Sequence, residues 1–303
     1  MPDDKTIPPV ENRVCDYEGS QYRTDFWEGQ GRQYEDLVER QVMTRLLPRG
    51  GRRLMEVGAA YGRLVPLYAS FDRVVLLDYS FSQLQDARRQ YGDERFLYVA
   101  ANAYHMPFKP GVFDAVTMVR VLHHFENVPG VLSAIRRTMS PGGTFLLEFA
   151  NKRNLKAILR YMVGRQPWNP HDLTPVEFVE LNFNFHPIYI AHELYRAGFE
   201  TLKRVPVSFL RLGLLKRHVP DAWLAELDGV LQGTGWLVSP SVFTLNTTRA
   251  EGNTLNQVAL DDADIFADPL TGGELRREGD TLVSAQGTRW AIRDGIYDFK
   301  SPI

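Results

Sequence analysis

An α/β fold, a doubly wound sheet with helices on both faces, is the class this sequence predicts. Three observations carry it. The stretch Arg53-Leu54-Met55-Glu56-Val57-Gly58-Ala59-Ala60-Tyr61-Gly62-Arg63-Leu64 runs from an apolar segment through a small-residue turn into helix-compatible residues. That is the pattern of a buried strand, a tight loop and a helix N-terminus. A second apolar run, Val74-Val75-Leu76-Leu77, ends at Asp78, twenty residues after Gly58. Further strand patterns at 95–100 and 145–149, and in the stretch 111–125, alternate with helical ones.

The glycine turn selects its ligand by spacing. Gly58 and Gly62 reach backbone angles closed to other residues and let a ligand lie against the main chain. The N-terminus of a following helix suits a carboxylate or a phosphate. A dinucleotide fingerprint needs glycines at the first, third and sixth positions, but here Ala60 and Arg63 stand third and sixth. No Gly-Lys-Ser/Thr follows, so a phosphate loop is excluded. What fits is Glu-x-Gly-x-Ala-x-Gly, formed by Glu56, Gly58, Ala60 and Gly62, with Ala60 where a glycine is more usual. With these residues the chain resembles the class I S-adenosylmethionine-dependent methyltransferases, specifically the group sharing the type 11 methyltransferase domain. The resemblance runs from about residue 26 to residue 149. It implies a Rossmann-like seven-stranded sheet, S-adenosyl-L-methionine as cofactor, and cofactor contacts from Glu56, Gly58, Ala60 and Gly62.

Composition sets the outer bounds. The 303 residues suffice for a substantial core in one large domain or two modest ones. A net charge of -2 gives no global attraction to nucleic acid. The one cysteine, Cys15, cannot form an internal disulfide or a thiolate metal cage. No apolar run reaches transmembrane length, and the start Met-Pro-Asp-Asp-Lys lacks a signal-peptide core, so a cytoplasmic protein is expected. Residues 1–30 are polar but hold Tyr17, Tyr22, Phe26 and Trp27. These aromatics either pack on the domain surface or, as in many relatives, form a lid over the cofactor, to which Tyr22 is assigned. An amphipathic helix follows over 31–47, ended by Pro48 and Gly50-Gly51.

The second strand delivers the next site residues. An acid at its end can accept hydrogen bonds from both hydroxyls of a ribose. The resemblance gives that role to Asp78 and sets Tyr79 beside the adenine; the plainer alternative is that Asp78 caps the next helix, at 82–91. After the third strand comes Ala101-Asn102-Ala103, where relatives read Asp-Ala. The family aspartate accepts from the adenine amino group; the amide oxygen of Asn102 can also accept, without the charge. The fourth strand lies in Gly111-Val112-Phe113-Asp114-Ala115-Val116-Thr117-Met118-Val119-Arg120-Val121-Leu122-His123-His124-Phe125. Its C-terminal end faces the ligand crevice, which directs Arg120 at the methionine part or the substrate mouth. His123 and His124 are candidate general bases, although such histidines are often structural in relatives. A helix at 131–139 and the turn Ser140-Pro141-Gly142-Gly143-Thr144 lead into the fifth strand.

Beyond this the chain becomes individual. A methyltransferase domain over 31–250 is expected to carry a cap insertion at about 151–235. The segment 151–165 has Leu155, Ile158, Leu159, Met162 and Val163 at helical spacing, five basic residues and no acid. Docking of that apolar face on the core is the expectation. Cations recur at Lys203, Arg204, Arg211, Lys216 and Arg217, so the cluster is expected to frame the substrate mouth and to favour an anionic or membrane-associated acceptor. A penultimate helix at 188–198 and strands at 199–207 and 242–248 should form the antiparallel end of the sheet. A linker at 249–253 then leads to a separate small β-rich module, 254–303. It resembles the Trm112-like zinc module, but Asp268, Thr271, Val283 and Gln286 stand where two Cys-x-x-Cys pairs would bind zinc. Those residues cannot make a tetrahedral zinc site, so a metal-free module held by Leu270, Leu275, Leu282, Trp290, Ile292, Ile296 and Phe299 is expected. The functional expectation is methyl transfer to a small-molecule or lipid-like acceptor, with nucleic acid not an expected partner. An RNA or protein methyltransferase is the alternative, and a non-catalytic S-adenosylmethionine-binding protein is the rival favoured by Ala60 and Asn102.

Overall fold

A computed structural model describes residues 12–20, 24, 27, 30–249 and 255–303. Helix α1 (Gln33–Leu46) leads into β1 (Gly51–Val57), β2 (Phe71–Asp78), α2 (Phe81–Tyr91), β3 (Phe96–Ala100) and β4 (Phe113–Met118). Next come α3 (Val128–Thr138), β5 (Met139–Ala150), α4 (Leu155–Met162), the hairpin β6 (Val176–Val179) and β7 (Asn182–Asn184), α5 (Pro187–Arg196) and β8 (Phe199–Val207). Helices α6 (Gly213–His218) and α7 (Asp221–Gln232) precede β9 (Ser241–Thr248). Four short strands close the chain: β10 (Leu275–Glu278), β11 (Thr281–Ser284), β12 (Arg289–Arg293) and β13 (Ile296–Asp298).

All strands except β6 and β7 join one sheet in the order β10-β11-β12-β13-β3-β2-β1-β4-β5-β9-β8. Strands β3, β2, β1, β4 and β5 are mutually parallel, and β9 and β8 are antiparallel to their neighbours. Among the described residues the sheet therefore has eleven strands rather than seven. The added four enter through β13, which pairs parallel to β3 with Ile296 opposite Tyr98 and Asp298 opposite Ala100. The C-terminal segment does not stand apart from the rest.

Successive side chains of a strand point to opposite faces, and here both faces are covered. Met55, Val57, Val75, Leu77 and Val99 pack with Val131, Leu132 and Ile135 of α3 and with Ile190 and Leu194 of α5. Leu54, Val74, Leu76 and Tyr98 pack with Tyr34, Val38 and Val42 of α1, Leu84 of α2 and Leu224 of α7. Burial on both sides explains why these strands read as nearly unbroken apolar runs. Two expected elements differ. The helix after the glycine loop is only a 3-10 turn, Val65–Tyr68, because β2 begins at Phe71. The expected turn at 140–144 is the irregular start of β5, where pairing with β4 jumps from Phe113–Met139 to Ala115–Thr144.

The insertion also departs from expectation. Helix α4 does not dock its apolar face on the core: Leu155, Leu159, Met162 and Val163 are all more than half exposed, and Ala157 alone of the helix is buried. Lys152 is fully buried and donates to Asp172 and to the carbonyls of Asp172 and Thr174. Lys216 pairs with Glu35 at 2.8 Å, Lys203 and Arg204 lie on the outermost strand β8, and burial lowers the Arg211 pKa. Lys152, Lys203, Arg204 and Lys216 therefore do not share one surface around the substrate mouth, whereas Arg211 feels the charges of Arg120, Glu39 and Glu148.

The C-terminal strands share the main core. Leu282, Trp290, Ile292 and Phe299 belong to the same apolar cluster as Phe108 and Phe113, and Phe266 stacks on Phe108 at 5.7 Å between ring centres. Ile296 packs on the opposite face, Leu275 is partly buried, and Leu270 is 67% exposed, against expectation. Where a first zinc knuckle would lie, buried Asp268 accepts from the Thr271 hydroxyl at 2.9 Å and from the Leu270 N–H at 3.1 Å. Among the described residues no helix is long and apolar enough to cross a membrane.

Candidate active site

A cleft with about 670 Å³ of empty space opens at the C-terminal ends of β1, β2, β3 and β4. This is where the strand order reverses between β1 and β4, the position at which such sheets bind ligands. Gly58, Ala60, Asp78, Tyr79, Asn102, Ala103, Arg120 and His124 all line it. Val57, Leu77, Ala101, Val121 and Phe125 supply apolar wall, and Arg13, Val14, Cys15 and Tyr17 close it from the N-terminal segment. Glu56, Gly62 and His123 lie outside the lining, and Tyr22 lies outside the described residues.

The β1 turn is left-handed at Gly58, Ala60 and Gly62, with φ of 72°, 45° and 80°. At Gly58 a Cβ would come within 2.3 Å of Val121, so only glycine lets the two loops meet. Gly62 serves packing instead: a Cβ there would come within 2.8 Å of the Tyr91 ring, whose hydroxyl donates to the Gly62 carbonyl at 3.0 Å. Ala60 has a polar task. Its N–H donates to Asp78 Oδ2 at 2.7 Å, while the Ser80 N–H donates to Oδ1 at 2.8 Å. Burial nevertheless pushes the Asp78 carboxyl up to about 6, against the lowering effect of these backbone bonds. A carboxylate offers about four acceptor positions, so capacity for further donors remains.

Glu56 faces away from the cleft, toward Tyr68 and Arg63. Burial pushes its carboxyl up to about 8, Arg63 and Tyr68 only partly opposing, and among the described residues Oε2 has no hydrogen-bond partner. Asn102 Oδ1 accepts from the Tyr104 N–H at 3.0 Å, closing the turn after β3.

Arg120 is held from behind rather than aimed freely into the cleft. Its φ is 59°, its N–H donates to Glu148 at 2.8 Å and its Nε to Glu39 at 2.5 Å. Trp27 packs against it, with the Arg63 and Arg120 guanidinium carbons 3.7 and 5.0 Å from its ring centre. Glu39 is fully buried; burial alone would raise its carboxyl, but Arg120 and Arg63 hold it below the usual range. Sequence reasoning missed Glu39 and Glu148. A signal existed in the acid inside the apolar strand Phe145-Leu146-Leu147-Glu148-Phe149 and in the acid on the apolar side of α1. It also missed Arg13, Val14 and Cys15.

His124 Nδ1 lies 2.9 Å from the Leu181 carbonyl, so it carries the proton and donates. Nε2 is then an acceptor, 3.4 Å from the Tyr17 hydroxyl. Burial lowers the pKa of His124, and burial together with His124 and Arg120 lowers that of His123 well below the usual value. Both rings are neutral at physiological pH. The N-terminal segment is pinned over the cleft by Glu18, which accepts from the Phe81 N–H at 2.7 Å and the Ser82 N–H at 3.1 Å at the start of α2.

A family model described as a methyltransferase domain matches residues 55–147. The chain is 30% identical over 185 residues to a ubiquinone biosynthesis O-methyltransferase of Thiobacillus denitrificans, covering 57% of this chain and 75% of that protein. It is 31% identical over 115 residues to a ubiquinone/menaquinone biosynthesis C-methyltransferase of Teredinibacter turnerae, covering 35% of this chain. The chain spans about half the length of that relative, 46%. Among solved structures, a S-adenosylmethionine-dependent methyltransferase of Thermotoga maritima shares the fold, with a TM-score of 0.51 and 19% identity over 72% of this chain and 92% of that one.

Proposed function

The chain belongs to the class I S-adenosylmethionine-dependent methyltransferases, and on that premise we propose that it methylates a small-molecule or lipid-like acceptor. The observation that carries the donor site is Asp78, which borders the cleft beside the left-handed turn with acceptor capacity to spare. The residues fit the cofactor. Asp78 suits the ribose hydroxyls, and the walls formed by Leu77, Tyr79, Ala101, Asn102 and Ala103 suit a flat adenine. Arg120, anchored by Glu39 and Glu148, borders the end left for the methionine part and the acceptor. When bound, the cofactor supplies a sulfonium-activated methyl group.

The protein's share of the work is then mainly alignment of the acceptor nucleophile, an orientation effect. His124 Nε2 holds a lone pair at the cleft and can take a proton from an acceptor that must lose one. His123 supports the loop from outside the lining. A lipid-like acceptor draws support from relatives named for ubiquinone biosynthesis. In the same proposal the segment before residue 31 covers the cofactor, 151–235 caps the acceptor, and 254–303 is a metal-free Trm112-like module in a cytoplasmic enzyme.

Equilibrium binding of S-adenosylmethionine and its demethylated product, followed by a labelled-methyl screen across acceptor classes, tests the proposal. Donor binding with transfer to a lipid-like acceptor is the expected result. Binding without transfer to any class would leave a cofactor-binding protein instead.

A further inference from the structure

Helix α4 presents its apolar stripe to solvent. Leu155, Leu159, Met162 and Val163 are 54%, 53%, 75% and 65% exposed. With 3.6 residues per turn, these four share an arc of roughly 100°. Lys156 and Arg160, both exposed, continue that arc on one side, and Arg153 and Arg165 flank the helix in sequence. The helix sits just after the C-terminal end of β5, on the same side of the sheet as the cleft. Leu155 N–H donates to the Val238 carbonyl at 2.7 Å, which brings the turn bearing Trp236, 67% exposed, to the start of the helix. An apolar stripe edged by cations, with a tryptophan at its end, is the composition of a helix lying in a membrane interface.

We infer that this face docks on an anionic lipid surface and holds the enzyme where a lipid-like acceptor resides. The inference rests on the proposed lipid-like acceptor. Charge decides among occupants. The segment 151–165 has no acid to answer its cations, so a second copy on this face would set like charges together. Anionic headgroups answer them, and acyl chains cover the stripe.

Sedimentation of the full chain with phosphatidylcholine vesicles, with and without phosphatidylglycerol, tests this. The protein should sediment with the phosphatidylglycerol vesicles and release as salt is raised. Lys156→Gln with Arg160→Gln should lower partitioning roughly thirtyfold, about fivefold per cation. Leu159→Ser with Met162→Ser should lower it as well, while donor affinity and transfer to a detergent-dispersed acceptor stay at wild-type levels. These side chains are exposed, and unchanged melting curves would show that the variants fold. Wild-type protein left in the supernatant with phosphatidylglycerol vesicles overturns the inference. So does self-association that the same variants abolish, which would make the occupant a second copy. Vesicle binding without transfer to any lipid-like acceptor would uphold the docking and refute the acceptor.

Discussion

Exchanging Asp78 for asparagine separates the cost of its charge from the use of that charge. In the folded chain burial raises the carboxyl from 3.8 to about 6, even with the Ala60 and Ser80 N–H groups bound to it. A rise of that size corresponds to about 3 kcal/mol at most, since water still reaches the carboxylate from the cleft. Because the folded value lies above the unfolded one, the stabilisation is full below about pH 3.8 and is lost as pH rises through about 6. At neutral pH the ionised group therefore weakens the ligand-free fold. Asparagine keeps an acceptor for one N–H, loses the other at about 1 kcal/mol, and carries no charge. Asp78→Asn should accordingly melt no lower than wild type at neutral pH. Donor binding should suffer, since a charged acceptor for two hydroxyls becomes a neutral one, at roughly 2–4 kcal/mol or about 30- to 1000-fold in Kd. Wild-type donor affinity should itself fall about tenfold per pH unit below about 6, and that of the variant should not. Titration calorimetry and melting curves between about pH 5 and 8 measure both. An unchanged Kd, or a wild-type affinity flat across that range, would remove Asp78 from the ribose; a large fall in melting temperature would make it a structural residue.

Ala60→Gly should relieve a left-handed alanine at φ 45°, a strain of about 1 kcal/mol, and leave donor affinity near wild type, as melting and calorimetry would report. Lys152→Met should destabilise by about 1–3 kcal/mol, because the carbonyls of Asp172 and Thr174 lose their buried donor; denaturant unfolding measures it. Trp290→Ala should cost about 3–5 kcal/mol and shift a single unfolding transition, since its cluster is the main core. Two separate transitions in calorimetric scans would show that the C-terminal strands fold alone. Elemental analysis should find no stoichiometric zinc, and chelator should leave the melting curve in place.

What could be read from the sequence was local. Gly58 and Asp78 were legible because one strand, one turn and the next strand fix their separation, and the sheet brings both to the cleft. The partners of Arg120 were not, because Glu39 precedes it by 81 residues and nothing local links them. The periodicity of α4 announced an apolar face without saying what would cover it. The C-terminal strands show the same limit. Alternation identifies a strand, but the choice of β3 as the neighbour of β13 depends on which edge is open in three dimensions. The helix missing after the glycine turn reflects chain length alone, since Phe71 must already be in the sheet.

Docking of β13 on β3 has a consequence for how the molecule keeps its own company. A sheet grows wherever an end strand shows unpaired backbone groups to another chain. Here one end is moved outward from β3 to β10, and the other is β8. The first reads Leu275-Arg276-Arg277-Glu278 and the second carries Lys203, Arg204 and Pro206, with an irregular register between Thr201 and Lys203. Charge, proline and irregular register are the features that discourage an incoming strand. Two of the cations that the sequence directs toward a substrate thus stand on the end strand, where charge disfavours an incoming strand.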